Sequence, residues 1–423
     1  MYKTQLEKEK DVVIQGKAFE IPKQLIWESY KQVKTNRGAS GVDGQSIARF
    51  DENRDNNLYK IWNRLSSGSY LPPPVLEKCI PKGNGGKRIL GIPTVGDRVA
   101  QGAIKLYMEA QLDPIFHQDS YGYRPNKSAH QALEQCKRRC WSYSWVVEID
   151  IKGFFDNVRH DLVIKALEYH DMPKWVILYC KRWLRAPVQS SNEEGVMKER
   201  EIGTPQGGVI SPLLANLFLH YAFDKWMMKE ALMHPFERYA DDLVCHCQTM
   251  KEAIRLKEKI TERFRQVGLS VNEEKSKIVY VDTFKRWNVQ TSFTFLGYDF
   301  KLRTLKDKQG CLFRKCMPGA SKKAMVRITE EIKKWGVHRS TEDAQELARR
   351  YNAKLKGWIE YYGKFWYRKF SYHLWTVFQS RLIKWAKTKY RISIKAAQHR
   401  LSRLRKERPK LFAHWYLLRA TNV

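Results

Sequence analysis

Along this chain, apolar residues either alternate with polar ones or recur at three- and four-residue steps, in consecutive blocks. Tyr70–Arg98, YLPPPVLEKCIPKGNGGKRILGIPTVGDR, reads as two strands around a Gly-Asn-Gly-Gly hairpin. The spacing turns helical from Val99 to Leu112. WVVEIDIKGFFDNVRHDLVIKAL, Trp145–Leu167, predicts a strand ending near Asp150 and then a helix. Pro205 and the glycines after it make a tight loop ahead of a long apolar helix within Gly203–Met227. FERYADDLVCHCQT, Phe236–Thr249, predicts a hairpin, followed by a helix from about Lys251 to Val267 and strands in LSVNEEKSKIVYV and FTFLGYDF. After Lys301 the pattern reads as almost wholly helical. The first hundred residues mix helix with turns such as SGVDGQS, Ser40–Ser46, and no internal repeat or low-complexity linker interrupts the chain. Strand, helix, hairpin, helix, strand is the order of a small antiparallel sheet with helices on one face, so the predicted class is α+β.

Composition adds partners to this picture. A chain of 423 residues with 43% hydrophobic and 13% aromatic residues is rich enough to bury a core and long enough for more than one domain. The formal net charge is +32, and it is lopsided: 32 basic against 8 acidic residues lie from Lys301 onward. Basic residues there interleave with aromatics, as in WIEYYGKFWYRKF, Trp358–Phe370, which suits phosphates and stacked bases. The competing reading is a helical core with a solvated basic face, and an anionic membrane surface is the other alternative partner. No apolar run reaches 18 residues and the N-terminus lacks a signal-peptide core, so a cytoplasmic protein is expected. The cysteine pairs Cys136/Cys140, Cys245/Cys247 and Cys311/Cys316 lack the two-residue spacing of zinc knuckles, and no zinc site is expected from them.

Asp241 and Asp242 are the chemical puzzle. Two ionised carboxylates about 4 Å apart repel by about 4 kcal/mol at an effective dielectric near 20. A hairpin turn explains an isolated Asp-Asp; a divalent cation explains one that stays ionised. The second reading requires another carboxylate on a similar strand, and Asp150 supplies it. Successive side chains on a strand face opposite ways, so Asp241 and Asp242 aim at one point only if the turn rotates them. Asp150 with Asp241 could then bridge two magnesium ions for in-line displacement at phosphorus.

EIDIKGFFD, GTPQGG followed by SPLLAN, RYADD, NEEKS and FTFLGY, in this order and at these separations, resemble the reverse transcriptases encoded within bacterial group II introns. IPKGNGGKRILGIPTVGDR and SYGYRPNKSAHQAL sharpen the match, SGVDG resembles the family's N-terminal extension, and YNAKLKGWIEYYGKF its thumb or maturase domain. The resemblance implies a right-hand polymerase. The N-terminal extension and fingers would take 1–144, the palm 145–304 with a fingers insertion near 168–200, the helical thumb 305–378 and a basic DNA-binding segment 379–423. It implies that Asp150 and Asp241 bind both ions, with Asp242 completing the site less directly.

In the same family reading, Lys82 and Arg88 clamp the incoming deoxynucleoside triphosphate, Gln206 touches it, and Phe155 blocks a ribose 2′-hydroxyl. Lys275 falls where such polymerases place a proton donor for pyrophosphate, a salt-bridged surface lysine being the alternative; Asp156 reads as a helix cap. Arg124, Lys356, Trp358, Tyr361, Lys364, Arg403 and Arg405 are the expected RNA- and DNA-contacting residues. The implied partners are the group II intron RNA whose splicing the protein assists, an RNA template, and a DNA primer or target in the bacterial nucleoid. Dimerisation is left open. No cluster of the family's C-terminal nuclease module follows the thumb, so no cleavage of the second DNA strand is expected. Two rivals stand beside this reading: a domesticated reverse transcriptase serving phage defence, CRISPR adaptation or repair, and a splicing cofactor that binds RNA without polymerising.

Overall fold

A computed structural model describes residues 17–81, 87–190, 197–281 and 289–417, with the side chains of 87 and 88 excepted. The described strands are β1 (Val75–Pro81), β2 (Lys87–Ile92), β3 (Trp145–Asp150), β4 (Val188–Gln189), β5 (Met197–Lys198), β6 (Phe236–Tyr239), β7 (Asp242–Cys247), β8 (Lys277–Tyr280), β9 (Ser292–Phe295), β10 (Tyr298–Lys306) and β11 (Leu312–Ala320). They fall among two compact units whose sequences interleave: 1–127, 150–232 and 258–272 form one, and 128–149, 233–257 and 273–423 the other.

The first unit holds the sheet β2-β1-β4-β5 and most of the N-terminal helices. β1 and β2 are antiparallel, with Ile80 opposite Arg88, as the alternation around the glycine turn predicts. The helix Val95–Leu112 is capped by Thr94, whose side chain accepts from the Asp97 N–H, and buries Val99, Ala103, Ile104, Met108 and Leu112, the face that its spacing picks out. It packs against the helix Lys23–Asn36. Ser211–Leu219 is apolar on every side and almost wholly buried, as a central helix must be.

The second unit holds the sheet β6-β7-β3-β8, except for Asp150 at the end of β3, which counts with the first, and the three-stranded sheet β11-β10-β9. β6 pairs antiparallel with β7, and β3 with β8. The β9–β10 turn places Leu296 and Gly297 both at positive φ, 50° and 78°, as a two-residue hairpin turn demands. Residues after Lys301 depart from the helical expectation: β10 and β11 pair over nine positions from Tyr298↔Ala320 to Lys306↔Leu312 before helix begins at Lys322. A boundary at 304 therefore cuts a strand, and one at 378 cuts the helix Tyr367–Tyr390. The helices Lys322–Lys334, Ala344–Tyr362, Tyr367–Tyr390 and Ile394–Glu407 form the C-terminal bundle. Half-buried Trp335, at the end of the first of these helices, stacks on Tyr351 at 4.5 Å and on Trp358 at 5.4 Å. Among the described residues no helix is long and apolar enough to cross a membrane.

Candidate active site

The YADD segment is a two-residue turn. Tyr239 and Asp242 are cross-strand partners, leaving Ala240 and Asp241 as the turn itself. Ala240 has φ 57°, a conformation that glycine normally supplies, and its carbonyl accepts a hydrogen bond from the buried Arg238 guanidinium at 3.3 Å. The turn, rather than strand alternation, thus sets the direction of Asp241 relative to Asp242. Asp241 is half-buried and Asp242, the first residue of β7, is exposed. In the sheet, β7 is the neighbour of β3, whose last residue is the half-buried Asp150. The Asp150 carbonyl accepts from Asn272 N–H at 2.8 Å, and the next residue, Ile151, bridges Val271.

In the first unit, the candidate nucleotide-binding residues meet through the backbone. Thr204 N–H donates to the Phe155 carbonyl at 2.7 Å, and Gly91 N–H donates to the Gln206 carbonyl at 2.8 Å. The glycine-containing loop 203–208 therefore joins the segment that carries Phe155 to β2, the strand that carries Arg88. Gly207 has φ 119°, and a Cβ there would stand 2.5 Å from the Gly91 carbonyl oxygen, so only glycine closes this contact. Phe155 and Gln206 are half-buried. Lys82 lies outside the described residues, and for Arg88 only the strand position is described. Asp156 belongs to a 3₁₀ turn, Phe154–Asp156, four residues before the next helix, so the helix-cap expectation is corrected.

The loop is held from behind by residues that the motifs did not indicate. Asp97, 1% exposed, accepts from Tyr70 Oη at 2.9 Å, Trp183 Nε1 at 2.8 Å and Gln101 Nε2 at 2.8 Å. Burial pushes its carboxyl pKa up, against the pull of those three hydrogen bonds. The other end of the Gln101 amide accepts from Val209 N–H at 2.8 Å and Ile210 N–H at 3.2 Å, just past the two glycines. Asp97 and Gln101 are polar at i and i+4 on an apolar helix, and that spacing is the signal that would have found them.

Several residues expected to contact nucleic acid also make contacts within the protein. Arg124, its side chain 6% exposed, donates to the Asp113 carboxylate at 2.7 Å and to the carbonyls of His117, Ser120 and Asp113; this set leaves the guanidinium little to offer a phosphate, and its assignment is corrected to a structural one. Trp358 gives one face to Trp335. Tyr361 donates its hydroxyl to the Leu296 carbonyl at 2.8 Å, while its own carbonyl accepts from His130 and from the Tyr298 hydroxyl, tying the helix Ala344–Tyr362 to the β9–β10 turn. Arg405 lies over the Trp375 ring at 4.5 Å. Lys275, Lys356, Lys364 and Arg403 are exposed. The Ala396–Trp415 segment is not all surface: Phe412, Ala413, His414 and Trp415 are fully buried, clasped by Asn352, whose amide donates to the Leu411 carbonyl and accepts from Ala413 N–H, both at 2.9 Å.

Residues 80–300 match the family described as reverse transcriptase (RNA-dependent DNA polymerase), and residues 325–404 match the group II intron, maturase-specific domain. The chain is 31% identical over 298 residues to the group II intron-encoded protein LtrA of Lactococcus lactis subsp. cremoris, a similarity covering 68% of this chain and 48% of that protein. It is 29% identical over 317 residues to protein YkfC of Escherichia coli, covering 65% of this chain and 80% of the relative. A putative COX1/OXI3 intron 1 protein of Saccharomyces cerevisiae is 24% identical over 334 residues, covering 67% of this chain and 39% of that protein. The chain thus spans about half the length of the Lactococcus relative.

Proposed function

The chain belongs to the reverse transcriptase (RNA-dependent DNA polymerase) family, and from that membership we propose that it copies RNA into DNA and, through its C-terminal bundle, binds group II intron RNA as a maturase. The observation that carries the catalytic part is the placement of three carboxylates on adjoining strands: Asp150 at the end of β3, and Asp241 and Asp242 in the turn that opens its neighbour β7. Carboxylate oxygens are hard donors that suit Mg²⁺. Asp150, Asp241 and Asp242 would hold a pair of such ions, which supply activation of the primer 3′-hydroxyl and neutralise charge on the departing pyrophosphate.

The residues of the chain do the positioning. Gln206 and Phe155, joined through the loop 203–208, would meet the base and sugar of the incoming deoxynucleotide, and Lys82 and Arg88, on either side of the glycine run in the sequence, its phosphates. Lys275, exposed two residues ahead of β8, is kept as the proton donor to pyrophosphate. In the bundle, the exposed Lys356, Lys364 and Arg403 would meet phosphates of the intron RNA and of DNA. The maturase-domain match over 325–404 favours intron RNA as the partner over a role apart from introns.

The test is extension of oligo(dT) on poly(rA) with Mg²⁺. The Asp241→Asn, Asp242→Asn double variant is expected to fold and to bind RNA as the parent does, while extension falls by about a thousandfold, equivalent to several kcal/mol of lost transition-state stabilisation. Retained synthesis by the variant would remove the assignment of these carboxylates. Absence of synthesis by the parent, with RNA binding intact, would favour the non-polymerising cofactor.

A further inference from the structure

A second group of ligand-type side chains lies wholly inside the second unit. Cys136 and Cys140 are one turn apart at the end of the helix Ala129–Arg139, Cys316 is on β11, His246 on β7 and Glu237 on β6. All five are buried, none more than 5% exposed. The Cys140 thiol interacts with the Cys136 and Cys316 thiols and with the His246 ring. The Cys136 sulfur, a His246 ring nitrogen and a Glu237 oxygen lie within 4.8 Å of one another.

The polar partners of this group are ordered outward. His246 Nε2 lies 2.7 Å from Glu237 Oε2, and Glu237 Oε1 accepts from Arg139 Nη1 at 2.6 Å. The second ring nitrogen, Nδ1, is buried with no hydrogen-bonding atom aligned on it. A ligating histidine has this arrangement: one nitrogen faces the metal and the other donates to a carboxylate, which fixes the tautomer.

We propose that Cys136, Cys140, Cys316 and Nδ1 of His246 bind a structural zinc ion, with Glu237 orienting the imidazole and Arg139 holding Glu237. Three sulfurs and one imidazole are a closed tetrahedral set typical of structural zinc. Sulfur donors disfavour magnesium and calcium. On binding, three thiol protons and the imidazole proton on Nδ1 pass to solvent, and no electron moves. Without the ion, burial pushes the Cys136 and Cys140 thiols up to about 12, and they pack as small neutral groups. The ion would join β7, four residues beyond Asp242, to the helix Ala129–Arg139 and to the β10–β11 hairpin, giving the strand behind the YADD turn a rigid anchor.

The test uses the full chain, purified without a metal-affinity tag and analysed for metals by mass spectrometry. One zinc per chain is expected, released when a mercurial blocks the thiols. Replacement by Co²⁺ should give the strong thiolate charge-transfer and tetrahedral d–d absorption of a sulfur-rich site. Glu237→Gln should weaken zinc binding by about 10–100-fold. Cys140→Ser should lose the ion, and Cys79→Ser, at an exposed position, should retain it. The cobalt spectrum of the parent chain decides the matter even if Cys140→Ser does not fold. Protein free of zinc that gives no thiolate–cobalt band, or recovery of Cys140 and Cys316 as a disulfide, overturns the proposal.

Discussion

Ala240 holds φ 57° in the turn between β6 and β7, a conformation that costs a non-glycine residue about 1–3 kcal/mol. The buried Arg238 hydrogen bond to its carbonyl helps to offset that cost. The residue types Asp150, Asp241 and Asp242 were legible in the sequence; the strained turn that orients two of them was not, because no alanine in a sequence announces a positive φ. His414 shows the same limit. It sits in a basic stretch that reads as DNA-contacting, yet its ring is buried between Phe378 and Trp375, with Nε2 2.9 Å from Gln379 Oε1. Burial, aided by the Arg405 charge, lowers its pKa from 6.5 to about 3. The unfolded chain therefore takes up a proton below pH 6.5 that the folded chain refuses, and stability falls as pH drops from 6.5 toward 3, by at most about 1.4 kcal/mol per pH unit. His414→Phe keeps the aromatic packing and leaves Gln379 bonded to Trp415. Melting temperatures between pH 7 and pH 4 should decline less steeply in this variant than in the parent; parallel declines would mean that His414 carries no part of the acid sensitivity.

Among elements, the helix Val95–Leu112 has a second task beyond burying its apolar face, since Gln101 fastens the loop 203–208 to it. Gln101→Leu leaves the Val209 and Ile210 N–H groups and one Asp97 oxygen without that partner, at about 1–3 kcal/mol for each buried group left unsatisfied. The expected result is a melting temperature lower by several degrees together with a raised KM for deoxynucleotides, read by thermal melting and steady-state primer extension. An unchanged KM with lowered stability would confine Gln101 to a structural role. The β1–β2 hairpin, this helix and the strand ending in Asp150 were all readable from periodicity and turn chemistry. The β10–β11 hairpin was legible only in part: FTFLGYDF reads as strand through Phe300, and the apolar–polar alternation runs on to Arg303, but the basic stretch beyond Lys301 reads as helix, and the pairing of β10 with β11 at nine positions decides otherwise.

For the whole molecule, the formal net charge of +32, concentrated after Lys301, is what the proposed nucleic-acid binding would draw on. A surface that neutralises several phosphates releases their counterions, so RNA affinity should fall by about a thousandfold between 50 and 200 mM salt in filter-binding titrations. A nearly flat dependence would show that the basic excess is not the grip. Which cations do the gripping is a tertiary matter, because Arg124 and Arg405 are identical in type to exposed arginines and differ only in what surrounds them. The sequence by itself determined the α+β class, the order of the main elements, the carboxylates and the overall charge, since each follows from local spacing or simple composition. Tertiary structure alone decided the rotation of the YADD turn, the Asp97–Gln101 brace and the meeting of Cys136, Cys140, His246 and Cys316. Those depend on atoms brought together from distant points in the chain, and their separations along it carry no information about that meeting.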